Sequence, residues 1–275
     1  MIAEYAPRLN RDRLSVLIAL ILLISVLFRF VQLADVSWNL HILGSPLELR
    51  VTRAWLMVVL LTGLVALGTR YVLMAHPDAP QRLPRPLYLS WLLPSLLTGV
   101  VIYLVESAPN EGVWAGGLLL AALVVSLAVA AEFGALSADH PGYARSRLAL
   151  NGLAYLLAFV LFYILYSTRA RSMVTATGAT FVAFLLALDL LSVADVKVER
   201  VALYAALVGL LVGEANWVLN YWRLTNWGGG LFLLLTFYLA AGVAHQHLLD
   251  QLSPRVLLEF GLVAGAALAI IVVFA

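Results

Sequence analysis

Two sets of polar residues interrupt the otherwise apolar stretches of this 275-residue chain, and they are the residues whose chemistry could matter. The first is centred on Glu214, in Val-Gly-Glu-Ala-Asn-Trp-Val-Leu-Asn-Tyr-Trp-Arg223. At helical spacing Gly209, Gly213, Asn216, Asn220 and Arg223 share one stripe, while Glu214, Trp217 and Tyr221 share another. A charged side chain in hydrocarbon costs about 2.5 to 3.5 kcal/mol on insertion scales, so Glu214 calls for a partner, a water-filled cavity or a use. Arg29 is a cation placed toward the same side of the membrane. Glu214, Asn216, Asn220 and Arg29 thus form a candidate polar cavity for a proton, a cation or a polar head group. The competing reading is packing, in which the glycines admit a neighbouring helix, the asparagines bond across the contact, and Glu214 is neutralised and hydrogen-bonded.

The second set lies toward the opposite helix ends: Glu132, Asp139, His140 and His245, with Asp189, His247 and Glu259 at similar depth. Histidines and carboxylates in one layer could shuttle protons or hold a metal. The spacing works against a metal. His245 and His247 are two residues apart, about 200° around a helix, whereas two helical histidines gripping one ion need a spacing of three or four. Terminal polar side chains can also simply reach the interface.

Other chemistries are excluded by what the chain lacks. It has no cysteine, which removes disulfides, thiolate zinc sites, cysteine-ligated iron–sulfur clusters and cysteine nucleophiles. Lys197, its one lysine, falls in a loop, so no retinal Schiff base can form inside the bilayer. Facing histidines for a haem are missing, and no glycine loop ends in the lysine and serine or threonine that cradle a nucleotide. No cofactor and no metal are expected. The formal charge of +2 comes from scattered residues with no dense basic run, so no nucleic-acid partner is expected either.

What must position these residues is a membrane bundle. The chain is 63% hydrophobic and 12% charged, with a mean hydropathy of +0.98, far from the roughly one-quarter charged residues of a soluble domain. Nine apolar stretches, each near the length that crosses about 30 Å of hydrocarbon, run over 14–34, 54–75, 87–106, 113–136, 148–168, 172–193, 201–221, 229–249 and 256–275. The fold class expected is all-α, a polytopic transmembrane helix bundle of about nine spans, read as a single domain over 1–275. Between the first two spans, Trp38 to Thr52 alternates apolar and polar residues around Gly44-Ser45-Pro46, as a short β-hairpin or an interfacial amphipathic segment would. Pro94 should kink the third span, and Gly228-Gly229-Gly230 reads as a flexible joint before the eighth.

Orientation follows from charge and aromatic placement. With a cytoplasmic N-terminus, eleven of the 17 basic residues fall inside and six outside, while most tryptophans fall at outer helix ends. Nine spans put the C-terminus outside. Small residues recur as Ala176, Thr180, Ala183 and Ala187 in the sixth span and as Gly261 and Gly265 in the last, and such stripes pack helices within one chain or between subunits. The expected partners are therefore membrane lipids and membrane-protein subunits.

At Ile42-Leu-Gly-Ser-Pro-Leu-Glu-Leu-Arg50, Ala75-His-Pro77 and Gly213-Glu-Ala-Asn-Trp-Val-Leu-Asn-Tyr-Trp222, the chain resembles an uncharacterised family of bacterial multi-pass integral membrane proteins. The resemblance implies a location in the cytoplasmic membrane and brings no assigned activity. Three roles are open at this point. The first is a non-catalytic membrane subunit or scaffold. The second is a transporter or lipid-handling protein using Glu214. The third is an embedded enzyme acting on a lipid or isoprenoid through Glu132, Asp139, His140 and His245.

Overall fold

Short polar residues set the helix starts. Asn10, Thr52, Asn110 and Thr225 each precede an apolar run, and each side chain accepts a hydrogen bond from the backbone N–H three residues on. Each satisfies one of the donors that a helix start leaves free. The fold is known from a computed structural model, which describes residues 9–31, 36–42, 45–76, 89–136, 142–168, 171–192, 197–222 and 224–274.

Among the described residues the helices are α1 (Arg11–Phe30), α2 (Arg53–Leu73), α3 (Leu92–Glu106), α4 (Glu111–Gly134), α5 (Tyr143–Ser167), α6 (Ser172–Leu191), α7 (Val198–Tyr221), α8 (Asn226–Leu248) and α9 (Pro254–Phe274). Eight are long and apolar enough to cross a membrane, and α3, with 15 residues, is shorter. Between α1 and α2, β1 (Val36–Ile42) and β2 (Ser45–Val51) pair antiparallel from Val36 opposite Val51 to Ile42 opposite Ser45. Ser45 and Pro46 therefore belong to a strand, where the sequence suggested a turn.

Two further expectations are corrected. Pro94 lies in the first turn of α3, where a missing N–H removes no intrahelical bond, so it introduces no kink. Gly228, Gly229 and Gly230 lie buried within the start of α8, from its third residue to its fifth, and are no joint. Their smallness serves contact: a Cβ at Gly230 would come within 3.2 Å of the Tyr163 Cα, and one at Gly229 would enter the Tyr166 ring.

Backbone contacts divide the chain into two compact units, Met1–Leu83 with Ser90–Arg147, and Pro84–Leu89 with Leu148–Ala275. In the first unit, α1 to α4 lie antiparallel to their chain neighbours around Leu17, Ile21, Met57, Leu61, Val65, Ile102, Leu118 and Val125. The Arg13 guanidinium helps to join α1 to α2, donating to the Tyr71 carbonyl at 2.9 Å while lying over the Tyr71 ring. In the second unit α6 and α7 share the most extensive contact, α8 packs on α7, and α9 packs on α8. Rings hold α5 to α8: Tyr155 meets Phe237 and Tyr238, and Tyr163 lies 4.9 Å from Trp227.

Candidate functional site

The stripe on α7 meets α6 directly. Gly213 faces Thr180 so closely that any Cβ would collide with its hydroxyl, and a Cβ at Gly209 would sit 2.8 Å from the Thr180 carbonyl and 3.1 Å from the Phe184 Cβ. One turn further along, Asn216 is buried and its Nδ2 donates to the Thr175 hydroxyl at 3.1 Å. Asn220 Nδ2 donates to the Asn216 backbone carbonyl at 3.1 Å. Ala176, Ala183 and Ala187 complete the buried face of α6. This is how helices join where solvent supplies no hydrophobic force between them: small residues bring the backbones close, and an amide bonds across the seam. The Asn216 Oδ1 accepts from no described donor, so the seam keeps one unpaired acceptor.

Glu214 lies on a different face of the same helix. It is exposed beside Trp217 (48% accessible), Val218 (54%) and Tyr221 (86%), whereas Asn216 is 1% accessible. The three α7 residues expected to line one cavity thus have different surroundings. Glu214 projects outward, Asn216 is enclosed in the seam, and Asn220 is hydrogen-bonded along its own helix.

Arg29, considered above as a partner for Glu214, belongs to a network in the first unit. Its guanidinium pairs with Glu111 of α4 and lies 5.3 Å from the centre of the Trp114 ring. The Trp114 Nε1–H donates to Glu106 at 3.0 Å, and Arg53 approaches the other Glu106 oxygen at 3.4 Å. Glu106 keeps only 5% of its side chain accessible, so its charge is offset by a cation and an indole donor at one end of α2, α3 and α4. The sequence pointed to no such network, although Arg29, Arg53, Glu106, Glu111 and Trp114 all sit at helix ends on one predicted side. That shared level was the available signal.

Glu132 is buried at the end of α4 in the first unit, His245 is half-buried in α8 of the second, and Asp139 and His140 lie outside the described residues. Beside Glu132, the buried His76 imidazole packs edge-on against Phe133, with ring centres 4.8 Å apart. Thr69 and Ser90 are buried as well, at the ends of α2 and α3 that lie on the same side. The sequence placed His76 in a loop and so passed over it. Among the described residues, no three His, Asp or Glu side chains converge as a metal would require.

Residues 34–274 match the family described as Protein of unknown function (DUF5656), and the chain belongs to that family. No curated protein and no solved structure matches it significantly.

Proposed function

We propose that this DUF5656 protein is a multi-pass protein of the cytoplasmic membrane that acts as a non-catalytic subunit, and that α9 is the face on which a transmembrane helix of a partner subunit docks. The observation that carries this reading is the state of α9. In its span-length window 6% of residues are buried, against 44% for α6. Gly261 and Gly265 stand one turn apart on it, exposed, and a Cβ at either would meet nothing within 4 Å. A pair of small residues at that spacing lets a second backbone approach closely. Leu258, Leu262 and Val263 flank the pair and are exposed. The described intramembrane polar groups fit the same role, since Asn216, Glu106 and Arg29 all join helices. Membrane lipids cover what the partner leaves open.

The orientation in this reading follows the charge bias, with the N-terminus cytoplasmic. If nine segments cross, the C-terminus lies outside.

The cysteine-free chain permits a direct test. A single cysteine replacing Leu262 should give one discrete cross-linked product in native membranes, and Gly261→Leu with Gly265→Leu should abolish it. An adduct of twice 29.9 kDa would identify the partner as a second copy. Absence of any adduct at successive positions along α9 would refute the reading.

A lipid-handling role is the second reading. It is favoured by a groove of about 330 Å³ lined almost wholly by apolar atoms of Tyr155, Leu231, Leu234, Leu235, Tyr238, Ala267, Ile270 and Ile271, between α5, α8 and α9. Such a groove suits an acyl chain. Retention of lipid in stoichiometric amount, lost on Leu235→Trp, would favour it.

A further inference from the structure

The last turn of α8 closes on Asp250, whose backbone is left-handed (φ 56). Its N–H donates to the His247 carbonyl at 3.1 Å, and the Gln251 N–H donates to the Gln246 carbonyl at 2.9 Å. Glycine ordinarily takes this helix-ending position, because a side chain there costs about 1 kcal/mol or more. An aspartate therefore places a carboxylate where the backbone alone would favour none.

Asp250 lines an open surface cavity of about 330 Å³, together with Arg200, Leu203 and Tyr204 of α7 and His247 and Leu248 of α8, and Arg200, His247 and Asp250 are exposed there. The Tyr204 and His247 rings lie 5.6 Å apart. Opposite charges thus share one cavity, yet among the described residues neither Arg200 nor Asp250 enters an ion pair. An arginine and an aspartate that do not neutralise each other leave both charges for a ligand that carries both.

We propose that this cavity binds a zwitterionic head group in which a phosphate diester and a primary ammonium are joined by a short linker, the phosphoethanolamine of a membrane phospholipid. The planar guanidinium of Arg200 offers two parallel donors to the phosphate oxygens. The Asp250 carboxylate accepts from the ammonium, and the Tyr204 hydroxyl is a further donor to phosphate. Leu203, 59% accessible, and Leu248 form an apolar lip on which the glycerol and the first acyl carbons rest. The same chemistry sets the selectivity. A purely anionic head group leaves Asp250 facing negative charge, and a quaternary ammonium has no N–H for the carboxylate.

The test uses the full-length protein, delipidated in detergent and offered phosphatidylethanolamine, phosphatidylcholine and phosphatidylglycerol of identical acyl chains, with bound lipid counted by native mass spectrometry. Phosphatidylethanolamine should be retained about tenfold better than the other two, the worth of one charge-assisted hydrogen bond. Asp250→Asn and Asp250→Gly should each erase that preference, and Arg200→Gln should weaken all three lipids. Because glycine suits the left-handed backbone, Asp250→Gly separates loss of the carboxylate from misfolding. Equal retention of the three lipids by the wild type, or a preference that survives both Asp250 variants, would overturn the proposal. Free phosphoethanolamine that outcompetes the lipid at equal concentration would overturn the assignment to a lipid head group.

Discussion

The α6–α7 seam and the outer face of α9 carry the same sequence signal and meet different fates. Both present small residues one helical turn apart: Gly209 and Gly213 with Ala176, Thr180 and Ala183 in the seam, and Gly261 with Gly265 on α9. In the seam those positions are filled so tightly that no Cβ could be added without displacing Thr180 or Phe184. On α9 the equivalent space is open. A small-residue spacing therefore says that a backbone can approach, and only the packed structure says whether one has. The amide marks a second difference. Asn216 locks the filled seam to Thr175, while α9 has no asparagine or glutamine at all.

The sharpest way to break this comparison is to enlarge one glycine on each side. Gly213→Leu should part α6 from α7 and destabilise the second unit by about 3 kcal/mol, the upper range for overpacking. Gly265→Leu should leave the isolated chain unchanged. Thermal unfolding followed by tryptophan fluorescence in nanodiscs distinguishes them, and equal losses would mean that α9 is not open. In native membranes the order reverses for association: the α9 substitution should abolish cross-linking at position 262 while the protein stays folded.

Smaller effects sharpen the rest. Glu106→Ala strips Arg53 and Trp114 of their shared acceptor and should cost the first unit about 2 kcal/mol, seen as faster limited proteolysis. Asn216→Ala should cost about 1 kcal/mol, and a double-mutant cycle with Thr175→Ala should return a coupling near that of other hydrogen bonds between membrane helices, about 0.6 kcal/mol. A cycle that returns zero would make the amide incidental to the seam. The smallest effect belongs to Glu214→Gln. An exposed side chain without a packing role should change stability by no more than about 0.5 kcal/mol, and a larger loss would place Glu214 in the joint after all.

The helices themselves were legible in the sequence because nine apolar runs admit few alternatives. So was the stripe of Gly209, Gly213 and Asn216, because helical spacing alone puts them on one face. Which helix faces that stripe was not legible: no local signal in α7 names Thr175. Arg29 shows the same limit. Its level in the bundle was readable, but its pairing with Glu111 depends on which helices are neighbours. Pro94 and Gly228 to Gly230 misled because the same residues mean a break within a helix and ordinary chemistry near its start.

The β1–β2 pair has a consequence for how the chain meets solvent. Among the described residues these strands bond only to each other, so alternate peptide groups along each strand point away from the partner. Deuterium should enter this segment with a period of two residues, fast then slow, whereas the interiors of the helices should resist uniformly. Pro46, paired with His41, carries no amide and interrupts that rhythm. The outward-facing amides form two short edges where, among the described residues, an incoming extended peptide would find ready-made ladder partners.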